Sequence, residues 1–310
     1  MKLSSSSAVP ATIIGFCGLL IWSMSGVMAA NIRNIPTFEI LGITYTISFT
    51  LTLLYIYKTK GWHKLKQPWY IWLIGILGIC GSDGLYITAY KYAPPAHVDT
   101  LYYLWPIFLL ILSSIFLKDK FTPRQAFAAA ISLLGIGWLF NGNDMSLTDA
   151  TNLRGYGFAV ADALVCACYT LGARYYKEVP HEMVGMYCGC AMLASFANHF
   201  AFETSVAPNQ SEWITLVLMG ITSQCIAYFL WDIGVKRGSL KVLSMLSYGG
   251  AILSMTILFI FGLAEPSLSL IGACCIVTIG IFLAMLPWNF REIAQYLYAK
   301  LLVTKPAPEA

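Results

Sequence analysis

Long apolar stretches separated by short polar ones dominate the pattern of hydrophobic and polar positions along the chain. A membrane-spanning helix needs about 20 consecutive apolar residues to cross the hydrocarbon layer. By that measure the pattern predicts ten membrane-spanning helices, so we expect an all-α integral membrane protein. The predicted spans are residues 9–30, 38–57, 69–90, 96–117, 124–140, 153–174, 183–202, 213–235, 240–263 and 267–287.

The composition of the chain excludes most classes of soluble protein. Hydrophobic residues make up 58% of the 310 positions and charged residues 11%, against about 25% charged in soluble domains. The nine cysteines lie within apolar stretches, which favours small buried residues over a disulfide framework or a metal site. The net charge of +4 comes without a basic cluster, so the sequence predicts a lipid bilayer around the protein and no nucleic-acid partner.

Basic residues are distributed unevenly between the two sides of the predicted membrane region. With the N-terminus inside, 16 of the 19 Lys and Arg residues fall on the inner side, and only Arg33, Lys91 and Arg154 fall outside. Cytoplasmic loops carry such an excess of positive charge. We therefore expect a multi-pass protein of a bacterial-type inner membrane with both termini in the cytoplasm. Apolar residues at helical spacing in 289–310 predict an amphipathic tail along the inner surface.

The two halves of the chain share a weak internal repeat. A shift of 142 residues places Tyr86 on Tyr228, and the register holds to within one residue along both halves. The repeat predicts two five-helix units, residues 1–150 and 151–288. Because five is odd, the second unit enters the membrane from the opposite side, and such inverted repeats build secondary transporters with a site near the midplane. The alternative is a chance alignment of apolar helices.

Polar and aromatic side chains lie deep within five of the predicted spans. A carboxylate that faces lipid near mid-bilayer costs at least about 2.5 kcal/mol, so the two deepest aspartates are expected to face protein or water. A shared cavity would stack a planar small molecule and meet its ammonium group with Asp83 or Asp162. The alternative for each tyrosine is a packed residue with a satisfied hydroxyl. The candidate binding residues are Trp22, Asp83, Tyr86, Tyr103, Trp105, Asp162, Tyr169, Tyr228 and Trp231.

A proline and two aspartates near span ends predict local structure rather than binding. Pro106 removes a helical donor and clashes with the preceding turn, so we expect a kink in the fourth span. Asp99 and Asp232 lie near span ends, where they are expected to act as solvated caps or as partners for Lys91 and Lys236.

An intramembrane enzyme is an alternative class that the motifs do not favour. The chain lacks a His-Glu-x-x-His zinc motif and the Gly-x-Gly-Asp pattern of intramembrane aspartyl proteases. Its short loops also leave little room for the soluble domain of a sensor. We therefore expect no catalytic residues, no metal and no cofactor, and ten spans are sufficient to enclose a cavity in a monomer.

Three motifs resemble those of a known family. They are YYLWP at 102–106, GIGWLFNGND at 135–144 and AYFLWDIGVKRG at 227–238. They resemble the drug/metabolite transporter superfamily with EamA-type repeats, and in particular its YddG-type aromatic amino acid exporters. The resemblance implies export of aromatic or bulky neutral amino acids by alternating access. It also implies a central cavity lined by the first, third, fourth, sixth and eighth helices.

Two positions depart from the family pattern and leave the cargo open. Cys166 stands where a tryptophan is frequent, which implies a wider or less aromatic pocket. Gly249 and Gly250 replace a proline, so they join Pro106 as candidate hinge positions. A nucleobase-like metabolite or a cationic drug is the alternative cargo. Protons are a candidate coupling ion, carried by Asp83 or Asp162.

Overall fold

A computed structural model describes residues 5–116 and 149–268, with isolated positions between 127 and 138 and between 270 and 279. The regular secondary structure of these residues is helical and includes no strand. Six segments are long and apolar enough to cross a membrane, which confirms the prediction of an all-helical membrane protein. They are Val9–Asn31, Thr37–Thr59, Trp69–Tyr92, Pro95–Phe116, Ala150–Tyr175 and Gln210–Arg237. Most of the fifth and tenth predicted spans, and the whole tail at 289–310, lie outside the described residues.

The described residues form α-helices that we number in chain order. A 3-10 turn at Gly61–Leu65 follows the third helix, and a π-helical segment at Thr222–Ala227 joins the ninth to the tenth. The seventh span that the sequence predicts, residues 183–202, is a helix that begins at Met183 and ends at Phe202. The helices are α1 Ser5–Trp22, α2 Ser25–Asn31, α3 Thr37–Thr59, α4 Trp69–Tyr92, α5 Pro95–Tyr102, α6 Trp105–Phe116, α7 Ala150–Tyr175, α8 Met183–Phe202, α9 Gln210–Ile221, α10 Tyr228–Arg237 and α11 Leu240–Ile260.

Helix ends follow local sequence signals. The helix α4 begins after Pro68 and ends before Pro94, because proline lacks the N–H that a helix interior requires. Lys60 ends α3 in the left-handed conformation, with φ of 52°. At the start of α9, the side chain of Asn209 accepts from the backbone N–H of Glu212, whose carboxylate accepts from the Asn209 N–H. This reciprocal cap satisfies two donors that the first turn leaves free.

Two of the spans are interrupted near the middle of the membrane region. The first divides between Trp22 and Ser25, and the fourth divides at the turn formed by Tyr103 and Leu104. Pro106 is the second residue of α6, where a missing N–H costs nothing. The interruption therefore lies beside the proline at which the sequence predicts a distortion.

The strongest helix contacts join the two halves of the chain. The helix α4 packs against α7, α3 against α8, and α1 against α10. Small residues permit this close approach. A Cβ atom added at Gly15 in α1 would lie 2.9 Å from the Cα atom of Gly234 in α10.

The predicted role of Asp99 is wrong. Asp99 is buried, and Lys91 does not pair with it but donates to the backbone carbonyl of Ile35. The Asp99 carboxylate instead accepts hydrogen bonds from three hydroxyl groups. The Tyr90 hydroxyl lies 2.5 Å and the Tyr86 hydroxyl 3.0 Å from Oδ1, and the Ser254 hydroxyl donates to Oδ2. Sequence spacing along one helix did not reveal these donors, because they come from α4 and α11.

The predicted pairing of Asp232 with Lys236 is confirmed. Asp232 Oδ2 lies 2.7 Å from Lys236 Nζ and 2.5 Å from His181 Nδ1. Asp232 and Lys236 are both buried rather than solvated, so the pair lies inside the bundle, at the end that is predicted to face the cytoplasm.

Candidate binding cavity

A cavity of about 600 Å³ lies between helices from both halves of the chain. Its walls come from α1, α2, α4, α5, α7, α9, the π-helical segment and α10. Six aromatic side chains and two carboxylates contribute to the lining, namely Trp22, Tyr86, Tyr102, Tyr169, Tyr228, Trp231, Asp83 and Asp162.

Seven of the nine predicted binding residues line this cavity, and two do not. Tyr103 and Trp105 instead line a neighbouring cavity of about 450 Å³ beside Asp99 and Ser254. The side chains that separate the two cavities border both of them. These shared residues are Trp22, Tyr86, Tyr102, Cys166 and Trp231. A binding role for each residue stays a prediction, while the structure establishes which cavity each one borders.

Of the candidate hinge positions, Pro106 and Gly250 do not line the central cavity. The helix α11 continues through Gly249 and Gly250 without interruption. Gly250 borders the neighbouring cavity, where an added Cβ atom would lie 3.5 Å from the Tyr103 hydroxyl oxygen. A hinge at these glycines, or at Pro106, stays a prediction.

The rings that border the cavities contact one another edge to face. Trp22 lies between Tyr228 and Trp231, with centroid separations of 4.9 and 5.8 Å. The chain of rings continues from Trp231 to Trp105 at 5.7 Å and from Tyr228 to Tyr169 at 6.2 Å. Edge-to-face contacts stabilise aromatic pairs beyond their buried area. The rings of the aromatic wall therefore stabilise one another's positions.

The π-helical segment supplies backbone acceptors at the cavity. Its wider turn changes the helical hydrogen bonding, as is frequent at functional sites. The indole N–H of Trp22 donates to the carbonyl of Ser223 at 3.1 Å, and the Ser48 hydroxyl donates to the carbonyl of Gln224 at 2.8 Å. These bonds attach α1 and α3 to the segment that carries Gln224 into the cavity.

The two carboxylates of the cavity differ in their partners. Asp83 accepts from the Tyr45 hydroxyl at 2.8 Å on one oxygen and from the Tyr228 hydroxyl at 2.9 Å on the other. Asp162 is completely buried and accepts from the Ser82 hydroxyl on Oδ1. Its Oδ2 atom has no hydrogen-bond partner among the residues that the structure describes.

Tyr169 separates the central cavity from a third cavity on the predicted cytoplasmic side. That cavity, of about 310 Å³, is also lined by Tyr187, Asp232 and Lys236. The Tyr169 ring packs directly on Gly78, where an added Cβ atom would lie 2.5 Å from the ring. The position of this barrier therefore depends on the absence of a side chain at Gly78.

Residues 9–141 and 153–286 each match the model of the EamA-like transporter family. The chain belongs to the EamA-like transporter family. The resemblance indicated by the motifs is thus confirmed, and the protein is a multi-pass membrane protein of a transporter family.

This EamA-like protein has relatives along most of its length. It is 33% identical over 286 residues to "Aromatic amino acid exporter YddG" of Ancylobacter novellus, with 92% of this chain and 99% of that protein covered. It is 22% identical over 211 residues to "Uncharacterized transporter YyaM" of Bacillus subtilis, with 66% and 69% covered. A crystal structure superposes with a TM-score of 0.73 at 32% identity, covering 89% of this chain and 97% of that one.

Several residues of this EamA-like cavity were not among the predicted binding residues. Gln224 shares a helix face with Tyr228, so its spacing was a usable signal. Tyr102 was adjacent to a predicted residue. Tyr45 does not line the cavity but donates to Asp83 from α3, a helix outside the predicted set, so the sequence carried no such signal for it. Among the described residues, no group of three or more His, Cys, Asp or Glu is arranged to hold a metal ion.

Proposed function

We propose that this protein exports small amino acid-type metabolites, with aromatic or bulky neutral amino acids as the leading cargo. The observation that carries the proposal is the central cavity, which combines aromatic walls with two carboxylates, Asp162 buried and Asp83 half-buried. Aromatic rings stack on a planar side chain, and a carboxylate binds an ammonium group. The relative named an aromatic amino acid exporter supports the same cargo class.

Transport by alternating access between two inverted five-helix repeats is the proposed mechanism. The family model matches two successive stretches, which supports units at 1–150 and 151–288. The contacts between helices support it too. If the two halves are exchanged, the third span takes the place of the eighth and the sixth takes the place of the first. The pair of third and sixth spans then becomes the pair of eighth and first. The same exchange leaves the pair of second and seventh spans unchanged, and all three pairs are in close contact. In such transporters the repeats move about a site near the midplane.

The predicted residues have distinct proposed roles. Trp22, Tyr86, Tyr169, Tyr228 and Trp231 form the walls around the cargo side chain. Asp83 or Asp162 meets its ammonium group. Tyr103 and Trp105 line the adjoining cavity and so lie along the proposed outward path. Pro106, Gly249 and Gly250 are proposed hinge positions.

The proposed setting is a bacterial-type inner membrane. The distribution of basic residues supports cytoplasmic termini. The apolar residues at helical spacing in 289–310 support a tail along the inner surface. The protein is proposed to act as a monomer, since one chain encloses the cavity. Protons are the proposed candidate for a coupling ion.

One observation favours a second candidate cargo, a cationic aromatic amine. Among the described residues that line the central cavity there are two aspartates and no Lys, Arg or His. The carboxylate of an amino acid would therefore meet only neutral donors. A cation without that carboxylate would face no such disadvantage.

Counterflow in proteoliposomes tests the proposal. Vesicles containing purified protein are preloaded with unlabelled Phe, Trp, Thr, Met, Lys or a purine, and uptake of the labelled partner is followed. We expect exchange of Phe or Trp, loss of that exchange in Trp231→Ala, and retention in Trp213→Ala, because Trp213 is exposed on the outside of the bundle. Exchange of another compound, with none of any amino acid, would remove the proposed cargo.

A further inference from the structure

Unpartnered polar atoms are concentrated in the central cavity. Among the described residues, five buried side-chain nitrogen or oxygen atoms lack a hydrogen-bond partner, and four of them belong to residues that line this cavity. The four are Asp162 Oδ2, Thr170 Oγ1, and Gln224 Nε2 and Oε1. Each of these residues is at most 1% exposed.

Such atoms cost free energy when no partner meets them, and folded proteins therefore contain few of them. Their concentration in one cavity indicates that the cavity's contents supply the partners. The amide of Gln224 lies beside the Asp83 carboxylate, and the Thr170 hydroxyl lies beside the Cys166 thiol, but neither forms a hydrogen bond of ordinary geometry there.

The two carboxylates of the cavity are not equivalent as sites for an ammonium group. Each oxygen of Asp83 already accepts from a tyrosine hydroxyl, Tyr45 on one side and Tyr228 on the other. Asp162 has one oxygen bound to Ser82 and one oxygen without a partner in the described part of the chain. An ammonium group donates three hydrogen bonds and no group of the cargo matches a free carboxylate oxygen better.

Building on the transport function proposed above, we infer that Asp162 is the residue that binds the ammonium group of the cargo. The side-chain amide of Gln224, with Nε2 as donor and Oε1 as acceptor, binds the polar group that neighbours the ammonium group in the cargo. Asp83 is a positioning residue, because it holds the Tyr228 ring against Trp22 through its hydrogen bond. Selectivity for ammonium-bearing compounds therefore depends on Asp162 rather than on Asp83.

Competition against counterflow of labelled phenylalanine tests this assignment. The competitors are phenethylamine, which keeps the ammonium group and lacks the carboxylate, and 3-phenylpropionate, which lacks the ammonium group. We expect wild type to prefer phenethylamine. In Asp162→Asn this preference should fall at least about tenfold, the loss typical of one charge-assisted hydrogen bond. Asp83→Asn should lower the exchange rate and keep the preference. The assignment is overturned if Asp162→Asn keeps the preference or Asp83→Asn loses it.

Thermal unfolding of the cargo-free protein separates lost binding from lost folding. Asp162→Asn keeps an acceptor for Ser82, and the isosteric Thr170→Val removes an unpartnered hydroxyl, so neither should lower the Tm. Both should reduce the rise in Tm that phenethylamine causes. Ser195→Ala is the matched control, because Ser195 Oγ is the fifth unpartnered atom and lines none of the three cavities. A large fall in Tm in Asp162→Asn would show a structural role and contradict the inference.

The same measurements distinguish failure of the inference from failure of the proposed function. If wild type exchanges no amino acid and no ammonium compound changes its Tm, both proposals fall. If wild type exchanges phenylalanine while Asp162→Asn retains the full preference, only the assignment of Asp162 falls.

Discussion

Asp162 and Asp99 are the same residue type at the same degree of burial, in two neighbouring cavities. Asp162 is 0% exposed and Asp99 is 2% exposed. Within the described part of the chain, Asp99 receives hydroxyl donors on both oxygens, whereas Asp162 receives one donor on one oxygen. Burial alone therefore does not identify a ligand-binding carboxylate in a membrane protein. We propose that the number of protein partners separates a carboxylate that connects helices, Asp99, from one that is available to cargo, Asp162.

The Asp99 cluster joins helices from both halves of the chain. Its donors come from α4 in the first half and α11 in the second, while Asp99 itself is in α5. The central cavity also lies between both halves, but four polar atoms of its lining residues lack a hydrogen-bond partner among the described residues. The comparison predicts that changes near Asp99 reduce stability and that changes near Asp162 reduce binding.

The largest expected effect is the loss of stability in Asp99→Ala. Removing this carboxylate leaves the buried hydroxyls of Tyr90 and Ser254 without this acceptor, at about 1 to 3 kcal/mol each, and leaves the half-buried Tyr86 hydroxyl with Tyr90 as its acceptor. Partial rearrangement of the hydroxyls should leave a loss on the order of 3 kcal/mol in the free energy of unfolding. Unfolding in detergent measures it, with Asp162→Asn as the control. An unchanged free energy of unfolding in Asp99→Ala would erase the distinction between the two aspartates.

A smaller effect is expected for Gly78→Ala at the inner wall of the central cavity. The added Cβ atom would lie 2.5 Å from the Tyr169 ring and must displace it. Such overpacking costs about 1 to 3 kcal/mol, and the displaced ring should also slow counterflow. Gly81→Ala in the same helix is the matched control, since its nearest neighbour is a Val165 methyl group at 3.5 Å. Equal behaviour of the two variants would show that the Tyr169 position is not constrained by Gly78.

Trp22→Phe should cost about 1 to 3 kcal/mol, the cost of leaving a buried polar group unpaired. The variant keeps an aromatic ring against Tyr228 but removes the N–H that donates to Ser223. We expect a lower Tm and a weaker rise in Tm with cargo. Trp213→Phe, at an exposed position, should change neither quantity. If Trp22→Phe matches that control, the Trp22–Ser223 bond contributes nothing.

The smallest expected effect concerns an ion pair outside the membrane region. Lys64 Nζ lies 2.6 Å from Glu182 Oε1. Burial alone would raise the pKa of Glu182, but the hydrogen bond and charge of Lys64 outweigh it and hold that pKa below its usual value. Stabilisation by this pair is therefore present above the ordinary glutamate pKa of about 4.3 and is lost as the pH falls further.

A comparison of wild type with Glu182→Gln in thermal unfolding between neutral and acidic pH checks this pair. The Tm difference should be small, because Lys64 is 41% exposed and exposed pairs contribute little. The difference should shrink on acidification and on addition of salt. A difference that grows at acidic pH would contradict the assigned direction of the Glu182 pKa.

The sequence was sufficient for the helices and for much of the candidate site. Hydropathy located the six membrane-spanning segments found among the described residues, because a membrane helix must be apolar along its whole length. Periodicity along single helices brought Asp83 and Tyr86 to one face, and Pro106 indicated the interruption of the fourth span. Each of these features depends on the residues of a single helix, so the pattern of residues along the sequence is enough to predict it.

Features that depend on packing between helices were not predictable in the same way. The depth of Tyr103 and Trp105 follows from helical rise, but their placement in the neighbouring cavity depends on where the span is interrupted. The partners of Asp99 lie on other helices, and the tyrosine that binds Asp83 from α3 is 38 positions away in sequence. The π-helical turn at Thr222–Ala227 also carries no strong local signal.

Substrate protection of Cys166 tests most directly whether cargo occupies the central cavity. A variant with the other eight cysteines replaced is treated with a small thiol reagent, with and without phenylalanine at ten times its Kd. Because Cys166 lines the cavity, we expect cargo to slow its modification about tenfold by occupancy. A Cys168-only variant, exposed two residues along the same helix, should be unaffected. Unchanged modification of Cys166 by a cargo that the same variant transports would contradict the central cavity as the binding site.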